Sequence, residues 1–326
     1  MQPYVVLLGP QRFDSTLGSV VRGLHCEGPI ALVTAGWRER EDEDEALANH
    51  LACETVNLRL YHRALDVFAR DRELAEAHRA KQTSLRHKQD FYRIRLEHEL
   101  EAAHVIRHRR APAELLESEE RASVEALRML DGYHLERCAR VHEQFVTETK
   151  LLERPAIVEH REQIAEALGR CSAIAIAGGH VVSMLNRMRL FGLRELIGGQ
   201  AIFAWSGGGM VISERVVLFH DSPPQGPGAS EVLGAGLGLV ENVVMLPSPE
   251  TRLALDDSER VGLLARRFAP AKCLAFPMGA HVTVRGRELE QPSGVIELGA
   301  DGGHDLLTLP ADAADATDIA GAGGAS

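Results

Sequence analysis

The apolar positions of this chain follow two different rhythms. Residues 4–9 form a short apolar run closed by Gly9-Pro10, residues 29–35 form another, and a helix-compatible segment at 15–24 lies between them. Strand, helix, strand at this spacing predicts a parallel sheet, because parallel neighbours need a crossover of helical length. The charged segment 38–51 predicts a second helix and residues 54–60 a third strand. From 61 to 152 no strand-like run survives, and apolar residues recur instead at threes, fours and sevens. Leu85, Tyr92, Leu96, Ala103 and Ile106 make one stripe, and Leu127, Leu130, Val141 and Phe145 make another. Ala111-Pro112-Ala113 separates them, since proline favours an extended residue before it and can open the next helix. This predicts an inserted antiparallel helical hairpin with arms on the order of 60 Å, at 1.5 Å of rise per residue.

After the insertion the first rhythm resumes. Helices are expected at 157–168, 182–196 and 257–268, and strands at 173–177, 201–204, 216–219, 272–276, 281–285 and 294–298. A Pro/Gly-rich loop covers 221–228, and the Gly234-Ala235-Gly236-Leu237-Gly238 stretch reads as loop, lacking the preceding strand a dinucleotide fingerprint requires. The expected organisation is a discontinuous α/β domain at 1–60 and 152–310, the hairpin at 61–151, and a disordered Ala/Gly/Asp tail at 311–326.

Charge sharpens this division. The chain carries a net charge of −11, yet residues 61–150 hold 17 basic and 17 acidic residues, so the excess belongs to the α/β part. An acidic chain of this kind is not expected to bind nucleic acid, which needs a concentrated basic face. The five cysteines are odd in number and form no C-x-x-C pair, which predicts reduced thiols. No basic-then-apolar leader and no run of about 18 apolar residues is present, so no membrane association and a cytoplasmic location are expected. Two stripes can bury each other, but so long a hairpin also suits a second copy or a protein partner.

Chemistry concentrates at two turns. Ala204-Trp205-Ser206-Gly207-Gly208 follows an apolar strand and opens a helix, so small residues let a strained turn hold the Ser206 hydroxyl out of the sheet, with the Gly207 amide facing a developing oxyanion. Ala177-Gly178-Gly179-His180 is the second strand-to-helix turn, and its glycine amides can supply another donor. His104 and His108 stand at i, i+4, but the sequence offers no third ligand and the surrounding run 107–110 is basic; no metal site is expected.

Gly178-Gly179-His180 with Leu185-Asn186 and Leu193, then Phe203-Ala204-Trp205-Ser206-Gly207-Gly208, His220-Asp221-Ser222-Pro223 and Leu237-Gly238-Leu239-Val240, resemble the aspartyl dipeptidase (dipeptidase E) and cyanophycinase family of serine peptidases. The resemblance covers 1–60 and 152–300. It implies a flavodoxin-like three-layer parallel sheet of the class I glutamine amidotransferase-like type, Ser206 as nucleophile, oxyanion amides at Gly179 and Gly207, and acidic or isopeptide-like peptide substrates. It also implies no metal or organic cofactor, and a site-shaping acidic contact at Asp221. Gly178, Trp205, Gly208, His220 and Ser248 would flank the site.

The departures are specific. Where the family has Pro-His, this chain has Pro247-Ser248, and a hydroxyl cannot take the nucleophile's proton as imidazole does. His180, which replaces an Asn or Asp, is the leading substitute base, with His220 next; His281 and His304 also lie in the α/β part. Two readings stay open: a serine hydrolase of peptidase or amidase type with weak or no activity, and a non-catalytic scaffold that acts through the hairpin. A glutamine amidotransferase would need cysteine at the elbow, and none is there.

Overall fold

The computed structural model describes residues 4–12, 15–24, 28–219 and 230–309. Strands β1 (Val5–Leu8), β2 (Ile30–Val33), β3 (Thr55–Asn57), β4 (Ala173–Ile176) and β5 (Ala201–Trp205) pair in parallel, in the spatial order β3-β2-β4-β5-β1. Four of them are buried at every position, as strands covered on both faces must be. One face packs on helices α1 (Leu17–Gly23) and α2 (Glu45–Leu51) through Leu17, Val21 and Leu51. The opposite face packs on α3 (Leu60–Arg70), and on helices that follow the long pair α4 (Arg72–Arg107) and α5 (Ala113–Thr149): α6 (Pro155–Gly169), α7 (Val181–Leu190), α8 (Leu193–Leu196) and α9 (Gly207–Ile212).

The remaining strands extend this core. β6 (Arg215–Leu218) and β7 (Glu231–Ala235) form an antiparallel pair; β8 (Val243–Pro247) lies parallel to β9 (Lys272–Phe276). Between β8 and β9 come α10 (Pro249–Arg252) and α11 (Ser258–Phe268). β10 (His281–Arg285) and β11 (Glu288–Ser293) add antiparallel to the β1 edge of the main sheet, and β12 (Ile296–Leu298) and β13 (His304–Leu306) complete the β8–β9 sheet.

Several expected elements differ in detail. The segment 38–51 is a 3-10 turn, Ala35–Arg40, followed by the short α2. The segment 182–196 breaks at Gly192, whose φ of 55° is left-handed. Helical structure after β3 begins with the separate α3, because Asp71 leaves the helical region and its carboxylate accepts from the Leu74 amide at 2.9 Å, capping α4 afresh. The glycine-rich 234–238 segment is partly strand, since β7 runs through Gly234 and Ala235.

The two long helices do not stand clear of the body. Leu74, Tyr92, Leu96, Leu127 and Phe145 belong to the same buried cluster as the sheet face. Tyr92 donates its hydroxyl to Asp131 at 2.7 Å and accepts from the Val232 amide, tying α4, α5 and β7 together. No described helix is long and apolar enough to cross a membrane.

Candidate functional site

The parallel register brings four strand ends to one edge. Leu8 pairs with Trp205, Ile176 with Ala204, and Val33 with Ile176, so the turns after β1, β2, β4 and β5 meet there, the edge where open α/β sheets bind ligands. Ser206 sits between β5 and α9 with φ 50° and ψ −125°. A side chain in that sparsely populated region costs about 1–3 kcal/mol and persists only where the surroundings enforce it.

The enforcement is visible. A Cβ on Gly178 would come within 2.9 Å of the Ser206 Cβ, and one on Gly207 within 2.8 Å of the Gly179 carbonyl oxygen, so the two turns touch backbone to backbone. Gly179 itself has a φ of 145°, and a Cβ there would strike the Gly36 peptide at 2.7 Å. Only glycine combines that torsion with that approach.

Trp37 and Gly36, which sequence reasoning overlooked, orient the second turn. The Trp37 indole donates to the Gly178 carbonyl at 2.9 Å, and the His180 amide donates to the Gly36 carbonyl at 2.8 Å. In a trans peptide the N–H points opposite to the C=O, so the Trp37 bond turns the Gly179 N–H away from the indole. Neither the Gly179 nor the Gly207 N–H has a hydrogen-bond partner among the described residues. A Gly-Trp directly after the strand at 29–35 was the available signal.

His180 is exposed, and in the structure it caps a helix. Its Nδ1 accepts from the Ser183 amide at 3.1 Å, capping α7, so the neutral ring carries its proton on Nε2. In that state it has no lone pair to offer Ser206. No imidazole is hydrogen-bonded to Ser206 among the described residues. Ser248 follows β8 in a left-handed conformation, φ 59°, and its amide donates to the Phe276 carbonyl at 3.1 Å; it shapes a turn. His220 and Asp221 lie outside the described residues.

His281 occupies a place that sequence spacing could not reveal. It opens β10 opposite Leu8, which in turn is opposite Trp205, so it stands on the edge of the sheet that carries the elbow, about 10 Å away across two strand spacings. Its Nδ1 is buried without a hydrogen-bond partner.

Among known proteins, the similarity found for this chain lies in solved structures. No family model matches it, and no curated protein sequence matches it. Among solved structures, a peptidase from an acI-B1 Actinobacterium is similar over 92% of each chain, with 14% identity and a TM-score of 0.45.

Proposed function

We propose that this chain is a serine-nucleophile hydrolase of the peptidase or amidase type, built on a class I glutamine amidotransferase-like sheet and working with an incomplete proton relay. The observation that carries the reading is the positive-φ Ser206, wedged between the glycines of two turns whose free amides flank it. A strained serine at a strand-to-helix junction is what an exposed nucleophile requires. The parallel strands run 3-2-4-5-1 in chain order: β3-β2-β4-β5 keep the relative order of the first four strands of the flavodoxin-like 2-1-3-4-5 pattern, and β1, from the start of the chain, takes the place of its fifth strand.

In this reading the Ser206 Oγ bonds to a substrate carbonyl carbon while its proton passes to water or a base, the Gly179 and Gly207 amides receive the negative charge that develops on the carbonyl oxygen, and collapse expels the reprotonated amine before water releases the acyl group from Ser206. The substrate class is an acidic or isopeptide-like peptide, as the sequence resemblance implies, with Asp221 as a shaping contact. His281 is the imidazole to test as base in place of His180. Loss of the usual base costs about 10³-fold or more, so turnover is weak.

The test is intact-mass analysis after exposure to a fluorophosphonate. A single adduct is expected on the wild type, none on Ser206→Ala, and a slowed adduct on His281→Gln. A folded wild type that gains no adduct would overturn the reading. That outcome would favour a scaffold acting through residues 61–151, where Phe91, Ile94, Met129 and Tyr133 stay exposed. Sedimentation velocity would then distinguish a self-associating chain from one that needs another protein.

A further inference from the structure

The helical pair carries a three-ligand cluster whose third member is 155 residues away in sequence. His104, in the last turn of α4, and His108, at its C-cap, stand together with ring centroids 4.3 Å apart. Glu259, in the first turn of α11, reaches both: its Oε1 is 3.3 Å from His104 Nδ1 and its Oε2 is 3.7 Å from His108 Nε2. The three ligand atoms lie within 4.8 Å of one another.

We propose that His104, His108 and Glu259 form a binding site for a divalent transition metal ion of the zinc class. Ligands held at zinc's ordinary distance of about 2.1 Å in a tetrahedron stand about 3.4 Å apart, against 3.3 Å and 3.7 Å from the two imidazoles to the two Glu259 oxygens and an outer bound of 4.8 Å for the set. The tautomer of His108 is already suited to ligation. Its Nδ1 lies 2.9 Å from the His104 carbonyl oxygen, which can only accept, so the neutral ring keeps its lone pair on the Nε2 that faces Glu259. Such a carbonyl is a usual partner for the non-ligating nitrogen of a metal-bound imidazole. Both imidazoles are exposed, so a metal ion has direct access to them.

The opposing charge is nearby. Arg107 Nε stands 4.0 Å from Glu259 Oε1, and a metal ion must displace it; Glu120, 3.9 Å from the same guanidinium, remains as its partner. Arg260 and Arg266 lie in the same region, lining a cavity of about 470 Å³ together with His104, Arg107 and Glu259. These cations weaken the site, so zinc is expected to bind less tightly here than at a structural zinc-finger site. Two neutral imidazoles and one carboxylate leave at least one coordination position for water or for a small anion held by the arginines.

The test uses the full chain and metal ions alone. Isothermal titration with Zn²⁺ should show one saturable site, weakened at least tenfold in His108→Ala and in Glu259→Gln, and unchanged in His98→Ala, an exposed histidine elsewhere on α4. Co²⁺ should give a visible absorption band of four- or five-coordinate character that the two site variants lose. All four residues are at or near the surface, so circular dichroism melts before metal addition should coincide and separate loss of binding from loss of fold. Saturable binding that persists equally in both site variants, or no saturable binding up to about 1 mM Zn²⁺, would overturn the proposal.

Discussion

The long helices join the α/β body through two buried polar junctions of opposite design. In the first, Arg267 of α11 makes a two-point contact with Asp131 of α5, at 2.7 Å from Nε and 2.6 Å from Nη2, and also donates to the Tyr92 hydroxyl at 2.8 Å. Arg267 donates further to the Ser230 carbonyl, and Arg93 pairs with Glu231 beside it. Every charge there has a counter-charge or a carbonyl. The second junction, between α4, α5 and α7, gathers His78, Lys81, His142, Arg187 and Arg189, and none of the five is paired with a carboxylate among the described residues.

Aromatic faces stand where acids would be expected. Lys81, only 7% exposed, places its ammonium 4.0 Å from the Phe145 ring centroid, and Arg187 lies over Tyr61 and Phe68. The Arg189 guanidinium donates to His142 Nε2 at 2.8 Å and to the Ala235 carbonyl, which holds that imidazole neutral. Ring quadrupoles attract cations, but less than a carboxylate at the same depth does. The contrast teaches that similar burial can lock a helix pair in place or make its attachment depend on protonation.

Breaking the balanced junction should have the largest effect. Asp131→Ala leaves Arg267 buried without its carboxylate and should cost about 3–5 kcal/mol in urea unfolding. A loss under about 1 kcal/mol would mean that the two junctions are equivalent. At the basic junction the sign reverses: Lys81→Met removes a cation from a like-charged cluster and should stabilise by about 1–2 kcal/mol at pH 7. Burial, aided by Arg189 and Arg187, brings the Lys81 ammonium down from 10.5 to about 7. The unfolded chain therefore takes up this proton first as pH falls, so wild-type stability declines from about pH 10.5 to about pH 7 and this contribution is level below that; Lys81→Met should lack that slope.

The histidines give the smallest effect at neutral pH, and the most specific one. Burial, with Arg189 or Lys81 nearby, lowers His142 and His78 from 6.5 to about 3. Both stay neutral in the fold while the unfolded chain protonates, so stability drops progressively from about pH 6.5 to about pH 3. His142→Gln should shallow that limb by up to about 1.4 kcal/mol per pH unit without altering stability at pH 8. An unchanged limb would place the acid sensitivity elsewhere.

What the sequence made legible follows from how each residue is constrained. Strands buried on both faces must be apolar throughout, so β1, β2, β4 and β5 stand out as runs, and a serine among glycines after such a run marks the strand-to-helix turn at Ser206. β11 reads Glu-Leu-Glu-Gln-Pro-Ser and is largely exposed at the edge of the sheet, where nothing demands an apolar alternation. Long-range pairings were equally silent. Trp37 meets Gly178 across 141 residues, and His281 reaches the elbow's edge only through the register of β10 on β1. His180 was correctly placed at the turn, but as a short polar acceptor at a helix start it serves as a cap, a use its spacing from Ser206 does not distinguish from catalysis.

The backbone at Ser206 also makes this position a clock for disuse. Glycine is favoured at such torsions, so drift under selection for a stable fold alone runs in one direction, toward loss of the side chain. Descendants of this chain that keep the serine would be keeping a residue the fold disfavours, and those that have let it go to glycine would have relieved the backbone at the cost of the hydroxyl.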